Sequence, residues 1–129
     1  MDRSLAWPQA VFAILGVFVA AGLSAGIAAN LVGLWEKPIA GCVAAFSVVL
    51  STFLFAPHHK VICALVTFFA GAAAAWILVG QSSFPESYGA PLAYQPTHVP
   101  FVVTVAGGCL GLQAVLVVNR RRVARRLGA

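Results

Sequence analysis

The chain has 129 residues, of which 61% are hydrophobic and 9% are charged, and its mean hydropathy is +0.96. Ordinary soluble domains of this size do not have such a composition, which therefore excludes that class and indicates an integral membrane protein. The formal net charge of +5 does not indicate a nucleic-acid partner, because five of the eight basic residues lie in the last ten positions and none alternates with aromatic side chains.

Four apolar segments predict an all-α bundle of four transmembrane helices, up-down-up-down, in a single domain. The predicted helices cover about 8–34, 38–55, 61–80 and 101–118. The first opens at Trp7 and Pro8, since Trp favours the interface and Pro is tolerated in a first helical turn. Its apolar run is longer than a perpendicular crossing requires. We therefore expect this helix to tilt, to extend beyond the membrane, or to unwind near Asn30 or Gly33.

Short turns are predicted at residues 36–38 and 56–60, so that consecutive helices pair as antiparallel hairpins. The only long connection, residues 81–100, contains four prolines and no helical period. This pattern excludes a helix and predicts an extended loop on the membrane surface. The aromatic side chains of Phe84, Tyr88 and Tyr94 are expected to lie at headgroup level.

The basic tail, residues 119–129, sets the expected orientation, because Lys and Arg near helix ends are retained on the cytoplasmic side. Both termini and the 56–60 turn are then cytoplasmic, with seven basic residues inside and only Lys37 outside. The composition favours a bacterial inner membrane. Continuation of the last helix would place Val123, Ala124 and Leu127 on a stripe opposite most of the arginines. We expect contacts with anionic lipids or a partner subunit from Arg120, Arg121, Arg122, Arg125 and Arg126.

Small residues at spacings of three and four give each predicted helix a face that another backbone can approach closely. These faces are Gly22, Gly26, Ala29 and Gly33; Ala40, Ala44, Ser47 and Ser51; Thr67, Gly71, Ala74 and Ala75; and Thr104, Gly107, Gly111 and Ala114. We expect them to pack inside one bundle, with docking of a partner subunit as the alternative. Bulky side chains then face lipid or a neighbouring protein: Phe12, Phe18, Phe46, Phe53, Phe68, Phe69 and Trp76.

The four apolar spans contain no Asp, Glu, Lys, Arg or His. Proton relays, ion-coupled carriers and quinone-reducing sites usually need such a group at membrane depth, so the sequence argues against them. The polar residues within the spans include Asn30 and Gln113. For each we expect an interhelical or backbone hydrogen bond, with a place in the lining of a pore as the alternative.

The sequence predicts no metal, no cofactor and no catalytic residue. His58 and His59 share a turn on one side of the membrane and His98 lies on the other, so they do not form a mid-depth haem site. His59 and Cys63 have an i, i+4 spacing, but two potential ligands are not a metal site. The three cysteines form no CxxC pattern and are expected to be small packing residues.

The sequence contains no nucleophile paired with a base, no paired carboxylates, no phosphate loop and no zinc pattern, so we expect no enzyme. Our hypothesis is a non-catalytic structural or accessory subunit of a larger membrane complex, such as a respiratory or photosynthetic energy-transducing one. Its partners would be other integral membrane subunits. The alternative is a small homo-oligomeric transporter or channel in which Asn30, Gln113 and hydroxyl side chains line a polar path.

Overall fold

A computed structural model describes residues 3–128, with side chains from residue 6 onward. It consists of four α-helices: α1 (Arg3–Leu31), α2 (Glu36–Phe55), α3 (Lys60–Val79) and α4 (Val99–Leu127). Each helix is long and apolar enough to cross a membrane. The prediction of an all-α membrane bundle of four helices is confirmed.

The centre of the bundle is α2, which packs against α1, α3 and α4, whereas α1 packs mainly against α2. The buried core consists of Val49, Phe53, Ala64 and Val115. The expectation that Phe53 faces lipid is wrong, because its side chain is only 1% exposed. Since α2 is surrounded by three helices, a bulky side chain on it fills the core instead of reaching the lipid.

The first helix begins and ends earlier than predicted. It starts at Arg3, so Pro8 lies inside it. Near a helix start, water can satisfy the carbonyl that the missing N–H of proline leaves without a partner. The helix ends at Leu31 because the chain turns through Gly33, whose φ of 73° favours glycine. Gly33 is therefore not part of the small-residue face of α1.

The last helix continues through the arginines to Leu127, well beyond the predicted end at residue 118. Arginine is a good helix former, and Arg125 and Arg126 in the last turn interact favourably with the helix dipole. At 1.5 Å per residue, the 29 residues of α4 measure about 43 Å. A hydrocarbon layer of about 30 Å is shorter than that, so the end of α4 extends beyond it.

The connection between α3 and α4 is folded and not extended. Two short strands, β1 (Ser82–Ser83) and β2 (Pro96–Thr97), pair antiparallel, and a 3₁₀ helix at Glu86–Tyr88 lies between them. The expectation that this segment contains no helix is therefore wrong in one detail. A single 3₁₀ turn after Pro85 needs only three residues and no helical period.

Aromatic contacts hold this connection against the rest of the bundle. The ring centroid of Trp35, in the α1–α2 turn, lies 5.5 Å from that of Phe84 and 5.7 Å from that of Tyr88. His98 donates from Nδ1 to the Gly80 carbonyl, and its ring stacks on Trp76 with centroids 5.6 Å apart. The connection thus covers one end of the bundle.

Candidate functional site

The small-residue faces of α1 and α4 both contact α2. A Cβ atom built on Gly22 would lie 3.4 Å from the Ala44 Cβ, and one on Gly26 would lie 3.6 Å from the Ala40 Cβ. These are ordinary van der Waals distances. The contact between α1 and α2 therefore depends on small side chains and not on glycine alone.

The glycines of α4 approach α2 more closely. A Cβ atom on Gly107 would lie 2.8 Å from the Cys42 Cα and would also overlap the Cys42 carbonyl oxygen. A Cβ atom on Gly111 would lie 3.1 Å from the Val49 Cβ. Backbone therefore meets backbone where α4 crosses α2, and Gly107 has no room for any side chain.

Gly71 does not lie in a packed face within the described chain. It is exposed, and no atom lies within 4 Å of the position its Cβ would take. It borders a cleft of about 330 Å³ that is lined mostly by α2 and α3, with two residues of α1 and three of α4 completing the lining. We call it the α1–α3 cleft. The cleft exists because α1 and α3 both pack on α2 but remain apart from each other.

A second pocket, of about 340 Å³, adjoins one end of the α1–α3 cleft, and we call it the end pocket. Its lining comes from the α1–α2 turn and the α3–α4 connection, and includes Asn30, Trp35, Glu36, Lys37, Ser83, Phe84 and Tyr94. Asn30 donates from Nδ2 to Glu36 Oε2 at 3.3 Å. Lys37 lines both cavities. Sequence reasoning missed this pocket, because two segments far apart in the chain form it and neither contains a motif.

The arginines lie at the opposite end of the bundle. At about 100° per residue, Arg121, Arg122, Arg125 and Arg126 lie on the same side of α4 as Gly111, which contacts α2. We call these four residues the basic face. The Arg122 guanidinium carbon lies 5.2 Å from the ring centroid of Phe53, which confirms that direction.

The described residues provide no acidic partner for the basic face. Within residues 3–128 the carboxylate side chains are those of Glu36 and Glu86, and both lie at the other end of the bundle. Lys60, at the start of α3, donates from Nζ to the Leu54 carbonyl at 3.1 Å. The positive charge of this end is therefore not neutralised by a carboxylate of residues 3–128.

Gln113 points away from the bundle. It follows Gly111 by two positions, so it lies about 160° around α4 from the residue that contacts α2. Its side chain is exposed, as are its neighbours on that side of the helix. We call this surface the outer face of α4; it comprises Val102, Ala106, Cys109, Gln113, Val117 and Arg120.

The remaining polar residues predicted from the sequence do not converge. Asn30 contacts Glu36 in the end pocket and does not meet Gln113. His58 and His59 are exposed in the α2–α3 turn, and Cys63 donates from Sγ to the His58 carbonyl at 3.5 Å. Within residues 3–128, no group of three or more His, Cys, Asp or Glu side chains is placed to hold a metal ion.

The fold and composition together define this protein as an integral membrane protein built as a four-helix bundle. Comparisons with protein-family models, with curated proteins and with solved structures give no match to the chain.

Proposed function

We propose that this chain is a non-catalytic accessory subunit that binds another integral membrane protein through the outer face of α4. The observation that carries the proposal is the outward direction of Gln113. It lies about 21 Å along α4 from Val99, which is still within a hydrocarbon layer of about 30 Å. An amide exposed to hydrocarbon without a hydrogen bond is costly, and a polar group on a neighbouring transmembrane helix removes that cost.

The neighbours of Gln113 suit the approach of such a helix. Ala106 and Cys109 lie on the same face, and both are small and exposed. Small residues allow two backbones to approach closely, which shortens the reach that an amide hydrogen bond requires. Arg120 lies farther along this face, where α4 leaves the apolar span, and we assign it to anionic lipid headgroups.

The basic face supplies a second contact at the end of the same helix. Its four arginines are exposed, and α4 holds them in a fixed arrangement beyond the membrane. We assign this end to the cytoplasm of a bacterial cell, following the excess of basic residues there. An acidic cytoplasmic surface of the partner subunit would pair with these arginines.

The distribution of polar groups favours a subunit over a transporter or a catalyst. The Glu, Lys, Arg and His side chains of the described residues lie near the helix ends, in the turns or in the α3–α4 connection. Asn30 lies at one end of the bundle and Gln113 on its outside, so they do not line a common path through one chain. An energy-transducing complex, in which separate chains carry the cofactors, is the assembly we propose to test first.

Isolation from native membranes in a mild detergent tests the proposal. We expect the chain to co-purify with other integral membrane subunits in fixed stoichiometry. Gln113→Leu should lower partner retention about fivefold, as expected when one interhelical hydrogen bond is lost. Gln9→Leu is the matched control, because Gln9 is exposed near a helix end, where water can hydrogen-bond an amide. Equal retention by both variants, or a particle that contains only this chain and moves solute in liposomes, would contradict the proposal.

A further inference from the structure

The α1–α3 cleft has the length of one membrane leaflet. Its lining runs from Lys37 to Val49 on α2 and from Val79 back to Thr67 on α3, which is about 18 Å along each helix. The hydrocarbon of one leaflet is about 15 Å thick, half of a layer of about 30 Å. The cleft therefore begins at the membrane surface and ends near the middle of the bilayer.

The volume of the cleft fits a linear chain better than a helix. A helix 18 Å long and about 10 Å in diameter occupies about 1,400 Å³. The empty space of the cleft, with its open side included, is about 1,020 Å³. A transmembrane helix of a partner or of a second copy would therefore not fit entirely within it, whereas a single acyl chain is thin enough to lie along it.

Charged side chains lie in a definite order at the surface end of the cleft. Lys37 lines both the cleft and the end pocket, whereas Glu36 lines only the end pocket. From the cleft outward, the lining is thus first apolar, then positively charged at Lys37, and then negatively charged at Glu36. Asn30 donates to Glu36 and orients its carboxylate, and Trp35 and Phe84 supply aromatic rings at the level where they favour the interface.

We propose that the α1–α3 cleft and the end pocket together bind one glycerophospholipid whose headgroup carries a phosphate followed by a primary ammonium group. One acyl chain fills the cleft, Lys37 binds the phosphate, and Glu36 accepts a hydrogen bond from the ammonium group. Both polar contacts are charge-assisted hydrogen bonds, which are stronger than hydrogen bonds between neutral groups. This site is separate from the outer face of α4 and does not depend on the proposed function.

Native mass spectrometry of the purified full-length chain tests this site. The chain is first exchanged into mixed micelles that contain equal amounts of phosphatidylethanolamine, phosphatidylglycerol and phosphatidylcholine. We expect one lipid retained per chain, with phosphatidylethanolamine preferred about tenfold over each of the others. Phosphatidylglycerol lacks the ammonium group, and phosphatidylcholine carries an ammonium that has no N–H to donate.

Two pairs of variants separate the contributions of tail and headgroup. Gly71→Leu should fill the cleft and lower lipid retention about tenfold without disturbing helix packing, since its Cβ position is open. Ala73→Leu is its control, because Ala73 is exposed on the same helix but does not line the cleft. Lys37→Gln should lower retention of all phospholipids, and Lys37→Arg should preserve it. Glu36→Gln should remove only the preference for phosphatidylethanolamine.

Several results would overturn the inference. One is retention by Gly71→Leu equal to that of Ala73→Leu, and another is unchanged retention in Lys37→Gln. A wild-type chain that holds the three lipids equally would disprove recognition of the headgroup. A lipid-free dimer would show that a second copy covers the cleft.

Discussion

Gly107 and Gly71 belong to one bundle but have opposite surroundings. The space beside Gly107 is occupied by the backbone of Cys42, whereas the space beside Gly71 is open. A glycine in the interior of a helix is intrinsically destabilising by about 1 kcal/mol relative to alanine. The close crossing of α4 and α2 compensates for that cost at Gly107, and no contact within the described chain does so at Gly71.

Gly107→Ala should therefore lower the free energy of unfolding by about 2–3 kcal/mol, because the added methyl group overlaps the Cys42 backbone. Gly71→Ala should leave it unchanged or raise it slightly. Unfolding titrations with a denaturing detergent, in matched micelles, measure both values. Equal stability of the two variants would show that α4 does not cross α2 at Gly107.

Phe53 is the largest of the fully buried side chains. Phe53→Ala should lower the free energy of unfolding by about 3 kcal/mol, through lost packing and a residual cavity. The contact with Arg122 is lost as well. Phe12, which is 76% exposed, provides the control, and Phe12→Ala should have little effect in the same titration. A similar loss in both variants would argue against this core.

At the scale of elements, hydropathy predicts the bounds of the two middle helices but not those of the two outer helices. The predicted spans 38–55 and 61–80 lie close to Glu36–Phe55 and Lys60–Val79. Hydropathy marks where an apolar run ends, and in α4 the helix continues beyond that point. Arginine supports a helix in water as leucine does in lipid, so the change in polarity at residue 119 is not a change in backbone conformation.

The helical continuation through the arginines predicts the effect of a proline. Ala124→Pro should break the last turns of α4, because proline lacks an N–H and clashes with the preceding turn. Amide hydrogen exchange over residues 120–127 should then be faster than in the wild-type chain. Ala124→Leu is the control and should leave the exchange unchanged. Equally fast exchange in the wild-type chain would mean that the basic face is not held by a helix.

For the whole molecule, the orientation in the membrane remains a prediction from basic residues. Ser87→Cys, in the α3–α4 connection, should react with a membrane-impermeant thiol reagent added to intact cells. Leu127→Cys should react only after the membrane is permeabilised. Both positions are exposed, so burial does not account for a difference. The reverse pattern would invert the orientation and would move the basic face to the outer surface.

The candidate sites depend on which helices pack together, and sequence alone does not determine that. The small residues of every helix were predicted to pack inside the bundle. Those of α1 do contact α2, but Gly71 on α3 borders the open α1–α3 cleft. The outward direction of Gln113 follows only once Gly107 and Gly111 are known to face α2. The sequence thus identifies the small and polar residues, but only the packing of the helices shows which surfaces these residues form.

The most direct test of the accessory-subunit proposal is the native mass of the particle extracted from its own membrane in mild detergent. The chain has a mass of 13.4 kDa. We predict a particle in which this chain is present in fixed proportion to other integral membrane subunits. Its mass should exceed what copies of this chain and bound lipid together explain. A mass equal to a whole multiple of 13.4 kDa plus lipid would contradict the proposal.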